Sequence, residues 1–160
     1  MNDPRSERPV HYRRVPSAII CSILLVSIIS VPVLANDAGS GSDAGNSPST
    51  ATYLPANNST YFGNLTQGSD IDDYYAINVT YGTGLAVTMS VPSNSDFDLL
   101  LLDSSTTQID SSLNSTGQSE HVSSNGTNVG GTTVYIWIDQ YIGSGQYTIQ
   151  IDIFQVAFGS

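Results

Sequence analysis

The sequence predicts an all-β protein. The expected architecture is an antiparallel β-sandwich or jelly roll of about eight short strands, preceded by an N-terminal hydrophobic signal helix. Three observations carry this. Apolar residues past residue 52 recur with period two, as they do on strands with one buried face. Clusters of Gly, Pro, Asn, Asp and Ser punctuate those segments at roughly ten-residue intervals. No segment beyond the N-terminal apolar run carries the helical apolar period.

The first element is an export signal. Arg5, Arg8, Arg13 and Arg14 are the only basic residues besides histidine. Ser17 to Val33 is almost wholly apolar and leads into Val33-Leu34-Ala35. A basic head, an apolar centre and a small-residue exit make a secretory signal peptide over residues 1–35, with cleavage expected after Ala35. The other reading is an uncleaved anchor, for which an apolar run of about 15 to 18 residues is near the lower limit. In both cases the arginines precede the run, so the rest is expected outside the cytoplasm, extracellular or at the cell surface. Cys21 follows Ile19-Ile20 rather than small residues and is not read as a lipidation site.

Residues 36–52 are expected to be a linker rich in Gly, Ser and Asp. It repeats Asp37-Ala-Gly-Ser as Asp43-Ala-Gly-Asn. The sandwich domain is then 53–160. Tyr61-Phe62 opens a short strand. Asp70-Ile-Asp-Asp is an acidic turn into a strand with Tyr75, Ile77 and Val79 on one face. Leu85, Val87, Met89 and Val91 alternate with Ala86, Thr88 and Ser90. Asp96 to Asp103 is the densest apolar run past the signal; apolar on both faces, it belongs in the middle of a sandwich or under a covering loop. Ile109 to Leu113 and His121 to Ser123 are weaker strands. Val134, Ile136 and Ile138 oppose Tyr135 and Trp137, and Tyr147, Ile149, Ile151 and Ile153 close the series.

Composition bounds the function. The chain has 14 acidic and 4 basic residues and a net charge of -10. Asp3 and Glu7 are the only acids before residue 36, so the exported part holds twelve carboxylates with no lysine, arginine or cysteine. Disulfides are excluded although the compartment allows them. A polyanion does not bind nucleic acid and is repelled by anionic lipid, so a membrane contact is expected only through an uncleaved N-terminal segment.

The order of motifs resembles the pre-peptidase C-terminal domain, a secreted β-sandwich module of prokaryotic proteins. Asp70-Ile-Asp-Asp-Tyr-Tyr is similar to that family's acidic entry into a strand. Asp96-Phe97-Asp98-Leu99 matches its Asp-Phe-Asp-Leu strand. Gly131 to Ile138 and Gly143-Ser-Gly-Gln-Tyr-Thr-Ile are similar to its glycine turn, aromatic-rich strand and final strand. The resemblance spans roughly residues 51 to 153. It implies a non-catalytic accessory sandwich that accompanies secreted enzymes. No catalytic domain stands before the module in this sequence, so a peptidase-linked role is not carried over.

Catalysis is not expected. His121 beside Glu120 is the one histidine past residue 35, with no cysteine or lysine to serve as nucleophile. Asp96 and Asp98 would sit about 7 Å apart on one face, but neighbours on one strand cannot flank a sugar from opposite sides. Calcium is the candidate cofactor, since it takes carboxylate, amide and carbonyl oxygens. The first candidate set is Asp70, Asp72, Asp73, Asp96 and Asp98; the second, weaker one is Asp37, Asp43 and Asn46. Turn capping by aspartate is the competing reading for both. Tyr135, Trp137 and Tyr141 are the candidate ligand contacts. Glycosylation sequons begin at Asn57, Asn58, Asn64, Asn78, Asn114 and Asn125. The expected function is a secreted or surface binding module for polysaccharide or protein. The alternative is a glycosylated structural or adhesion component of the cell surface.

Overall fold

The computed structural model describes residues 36–124 and 131–156. The expected signal helix, Cys21 and the sequon at Asn125 lie outside them. Val33–Ser160 forms one compact unit. Among the described residues no helix is long and apolar enough to cross a membrane.

Nine strands are described: β1 (Thr52–Leu54), β2 (Ser59–Leu65), β3 (Asp72–Val79), β4 (Thr83–Ser90), β5 (Asp96–Leu102), β6 (Gln108–Ser112), β7 (Glu120–Ser124), β8 (Thr132–Ile142) and β9 (Gly145–Gln155). They form a five-stranded sheet, order β1-β3-β8-β5-β6, and a four-stranded sheet, order β2-β9-β4-β7. Every neighbouring pair is antiparallel except β1 with β3. The expected β-sandwich is therefore present, with one strand beyond the eight legible in the sequence. That strand, β1, is three residues long, too short to show alternation.

The core follows the period-two pattern. Tyr75 and Ile77 of β3, Leu85, Val87 and Met89 of β4, Phe97, Leu99 and Leu101 of β5, and Val134, Ile136 and Ile138 of β8 are fully buried. Tyr147, Ile149 and Ile151 of β9 lie beside those of β4 and face the other sheet, and Phe97 meets Tyr147 edge to face at 6.3 Å. Such a layer removes enough apolar surface to hold two sheets together. The dense run at 96–102 is not the middle strand. β8 takes that place between β3 and β5, because its eleven residues pair along both neighbours. The outer-face residues of β5 are still covered in part: Leu100 is half-buried and Leu102 buried.

The segment expected to be a linker is folded. Residues 37–39 and 48–50 form 3-10 turns, and Asp37 and Ala44 are buried. The Gly45 carbonyl accepts a hydrogen bond from the Tyr74 amide at 3.0 Å. Gly45 has a φ of 74°, and a Cβ there would lie 2.4 Å from the Thr50 carbonyl oxygen. Glycine here makes a close turn rather than a flexible tether.

Candidate functional site

The aspartates of this loop meet the acidic turn before β3. Asp37 caps the loop: its Oδ2 accepts the Ala44 amide at 3.2 Å and its Oδ1 the Asn64 amide of β2 at 2.9 Å. The loop is closed further by the Asp37 amide, which donates to the Ser42 carbonyl at 3.0 Å. That brings Asp43 back over Asp37. Carboxylate oxygens of Asp37, Asp43 and Asp73 lie within 4.8 Å of one another. Asp70 is near enough for the charges of Asp43 and Asp37 to act on its carboxyl. Four acids therefore converge where the N-terminal loop crosses β2 and the start of β3.

Asp73 is the floor of this cluster. Strand alternation turns it inward with Tyr75 and Ile77, and it is fully buried. Its Oδ2 accepts the Tyr147 hydroxyl at 2.5 Å, and the Tyr147 and Tyr75 hydroxyls are 2.7 Å apart. Its other oxygen, Oδ1, is buried with no hydrogen-bond partner among the described residues, as is Asp70 Oδ1. Orphaned buried acceptors are costly and need an explanation.

The electrostatics agree. Burial, followed by the contact with Asp43, raises Asp37 to about 6. Burial, then the charges of Asp43 and Asp37, raises Asp70 to about 7. Asp73 is pushed up to about 8 by burial, against the Tyr147 hydrogen bond, which lowers it. Asp37, Asp70 and Asp73 are held toward their neutral forms because burial strips water from them and like charges lie close. A divalent cation would reverse that logic. Hard oxygen donors with two unpartnered acceptors are the ligands calcium selects.

This is a regrouping of the sequence candidates. Asp70 and Asp73 join Asp37 and Asp43, and Asn46 is exposed on the same loop. Asp72, Asp96 and Asp98 stand elsewhere. Asp72 is one residue from Asp73 and so faces the other side of the sheet, where its Oδ1 accepts Trp137 Nε1 at 2.7 Å. Register places Asp72, Asp139 and Asp98 in one row across β3, β8 and β5. Asp139, unmarked in the sequence reading, is raised by burial and by Asp72. Burial, then the charges of Asp96, Asp139 and Glu120, raises Asp98 to about 6.

The next row on that outer face is Tyr74, Trp137 and Leu100, followed by Ala76, Tyr135 and Leu102. Tyr74 and Trp137 stack with ring centroids 5.4 Å apart and planes 12° apart. Tyr74 was legible: once Tyr75 is assigned inward, its neighbour must face out. Trp137 and Tyr135 are half-buried, while Tyr141 is 76% exposed at the end of β8. His121 is exposed, with Nδ1 3.0 Å from the Thr88 hydroxyl.

The sequons Asn57, Asn58, Asn78 and Asn114 are exposed, and Asn64 is half-buried on β2. Several side chains are engaged: Asn58 Oδ1 accepts the Ile153 amide, Asn78 Oδ1 the Thr133 hydroxyl, and Asn114 Nδ2 donates to the Ser119 carbonyl.

Comparison with known proteins finds likeness in structure only. No family model matches the chain, and no curated protein matches it. The pre-peptidase C-terminal domain of a collagenase from Bacillus anthracis aligns with a TM-score of 0.52 at 17% identity, over 63% of this chain and 93% of that one. A periplasmic inhibitor of g-type lysozyme, PliG of Aeromonas hydrophila, aligns at 0.48 and 14% identity, over 64% and 96%. A mitogen derived from Yersinia pseudotuberculosis aligns at 0.44 and 19%, over 66% and 90%. The first likeness shows a shared β-sandwich fold.

Proposed function

We propose that this chain is an exported, non-catalytic β-sandwich module of the pre-peptidase C-terminal type, stabilised by calcium. Its N-terminal loop is fastened to the sandwich by an ion held by Asp37, Asp43, Asp70 and Asp73. The outer face of the five-stranded sheet, with Tyr135, Trp137 and Tyr141, is the surface offered to an extracellular polysaccharide or protein. Export rests on the basic head and apolar centre of residues 1–35. The observation that carries the reading is the buried, unpartnered Oδ1 of Asp73 within the Asp37–Asp43–Asp73 group, with a second such oxygen on Asp70 nearby. Strand pairing alone cannot explain why two chain segments, residues 37–43 and 70–73, bring like charges together.

The test is calorimetric titration of the full chain with calcium, with magnesium as control. Saturable, calcium-selective binding that is lost in Asp73→Asn supports the reading. Absence of heat at millimolar calcium, with an unchanged melt, returns these aspartates to loop capping.

A second reading is a glycosylated structural component of the cell surface. The exposed sequons at Asn57, Asn58, Asn78 and Asn114 favour it. Intact mass of the natively expressed protein reads the glycans. Sedimentation with and without calcium distinguishes the two, since a coat subunit self-associates and a solitary module does not.

A further inference from the structure

A second site lies away from the four-acid cluster, where β5 begins and β8 ends. The pairing of these strands slips there: Phe97 faces Gln140 but Asp96 faces Ile142, which leaves Tyr141 as an extra residue. A bulge of this kind re-aims a side chain. Tyr141 stands 76% exposed beside a cavity of about 210 Å³ that it lines with Asp96, Asp98, Leu113, Asn114 and Ser115. Leu113 is 65% exposed. The cavity thus joins two carboxylates to a phenol ring and an isobutyl group, both open to water. The loop that carries Leu113 to Ser115 is held in place. The Asn114 amide donates to the Glu120 carboxylate, the Gly117 amide to the Ser95 carbonyl at 2.8 Å, and the Thr116 hydroxyl to Asp96 Oδ2 at 3.3 Å.

We infer that this cavity binds an organic cation, an ammonium or guanidinium group on an alkyl stem. Each wall matches one part of that ligand. Asp96 and Asp98 answer the charge, the Tyr141 ring offers a face for cation–π contact, and Leu113 covers the stem. Residues 15–160 contain no lysine or arginine to answer that charge from within the sandwich. Calcium fits less well. Among the described residues the group of three or more such ligands that closes to within 4.8 Å is Asp37, Asp43 and Asp73, and this cavity offers only two carboxylates. Here one Asp96 oxygen is already engaged by Thr116, and a tyrosine and a leucine occupy wall that a six- to eight-oxygen shell would need. This inference rests on reading the chain as a binding module, and names what one of its sites takes.

The experiment follows backbone amide shifts of the full, calcium-saturated chain by nuclear magnetic resonance. Butylammonium is titrated, with butanol as its neutral match. Saturable shifts at residues 96–98, 113–115 and 141 are expected with butylammonium and not with butanol. The double variant Asp96→Asn/Asp98→Asn should weaken binding roughly tenfold, and Tyr141→Ala, at an exposed position, should weaken it severalfold while leaving the melt unchanged. Equal shifts with butanol, shifts that do not saturate, or affinity unchanged in both variants overturn the inference. Spermidine and the peptide Ac-Gly-Lys-Gly-NH2 carry the same group from two sources; the tighter of them separates a free polyamine from a basic side chain of a protein. A calcium response without butylammonium binding removes this cavity and leaves the calcium-held module standing.

Discussion

Proton and calcium occupancy of the four-acid cluster should give the protein two different pH dependences. In EDTA, Asp73 is raised from 3.8 to about 8 by burial. Between those values it is protonated when folded and ionised when unfolded. The folded state therefore binds more protons, and stability must fall as pH rises. The slope for one such group is about 1.36 kcal/mol per pH unit, so pH 5 to 7 removes about 2.7 kcal/mol. At roughly 4 °C per kcal/mol for a domain of this size, the melting temperature drops on the order of 10 °C. Asp37 and Asp70, raised to about 6 and about 7, act in the same direction. In saturating calcium the carboxylates stay ionised when folded, and protons compete with the ion. Neither state then takes up a proton in this range, so the melting temperature should stay nearly flat from pH 5 to 7, and the gain over EDTA should grow with pH. Calcium at a hundredfold excess over its dissociation constant adds about 2.7 kcal/mol at neutral pH. The assay is a thermal melt of the full chain at four pH values, in EDTA and in calcium, with Asp73→Asn alongside. That variant should lose the calcium gain and Asp73's share of the EDTA slope, keeping the smaller part from Asp37 and Asp70. A flat or rising EDTA curve in the wild-type protein would refute the reasoning, because it would mean that the cluster ionises without penalty when folded.

Three further outcomes follow from the packing. Gly63→Ala should cost about 1–3 kcal/mol in urea unfolding, since a Cβ there would overlap the Tyr147 hydroxyl and lie 2.7 Å from that of Tyr75. Leu99→Ala, fully buried between the sheets, should cost about 2–5 kcal/mol without changing calcium affinity. Asp37→Ala should speed amide hydrogen exchange at Ala44 and Asn64, whose N–H groups its carboxylate accepts, while the exchange of Ile136 in the middle of β8 stays slow.

Much of the fold was legible because strand alternation is a local property. Tyr75 and Ile77, Leu85 to Met89, Val134 to Ile138 and Tyr147 to Ile151 could be assigned inward from period two alone, and all are buried. The ranking of strands was less legible. Asp96 to Leu102 has the densest apolar run, yet β8 is the middle of its sheet, since position in a sheet depends on which neighbours a strand pairs with. The linker misled for a similar reason. Gly, Ser and Asp signal flexibility by composition, but Asp37 finds the Asn64 amide 27 residues away and turns the segment into a fixed loop.

The sequence by itself determined the β-sandwich, the absence of internal cations past residue 14, and the residue types from which any site must be built. Those are matters of periodicity and composition, which need no knowledge of distant contacts. Only the tertiary structure decided which acids meet. Asp72 and Asp73 are adjacent in the chain, but alternation sends one to the outer face beside Trp137 and the other into the core against Tyr147. Asp37 and Asp73 are far apart in the chain, but the loop over β2 brings their oxygens to within 4.8 Å. Convergence of charge is set by strand parity and loop closure, and neither can be read from the spacing of aspartates along the chain.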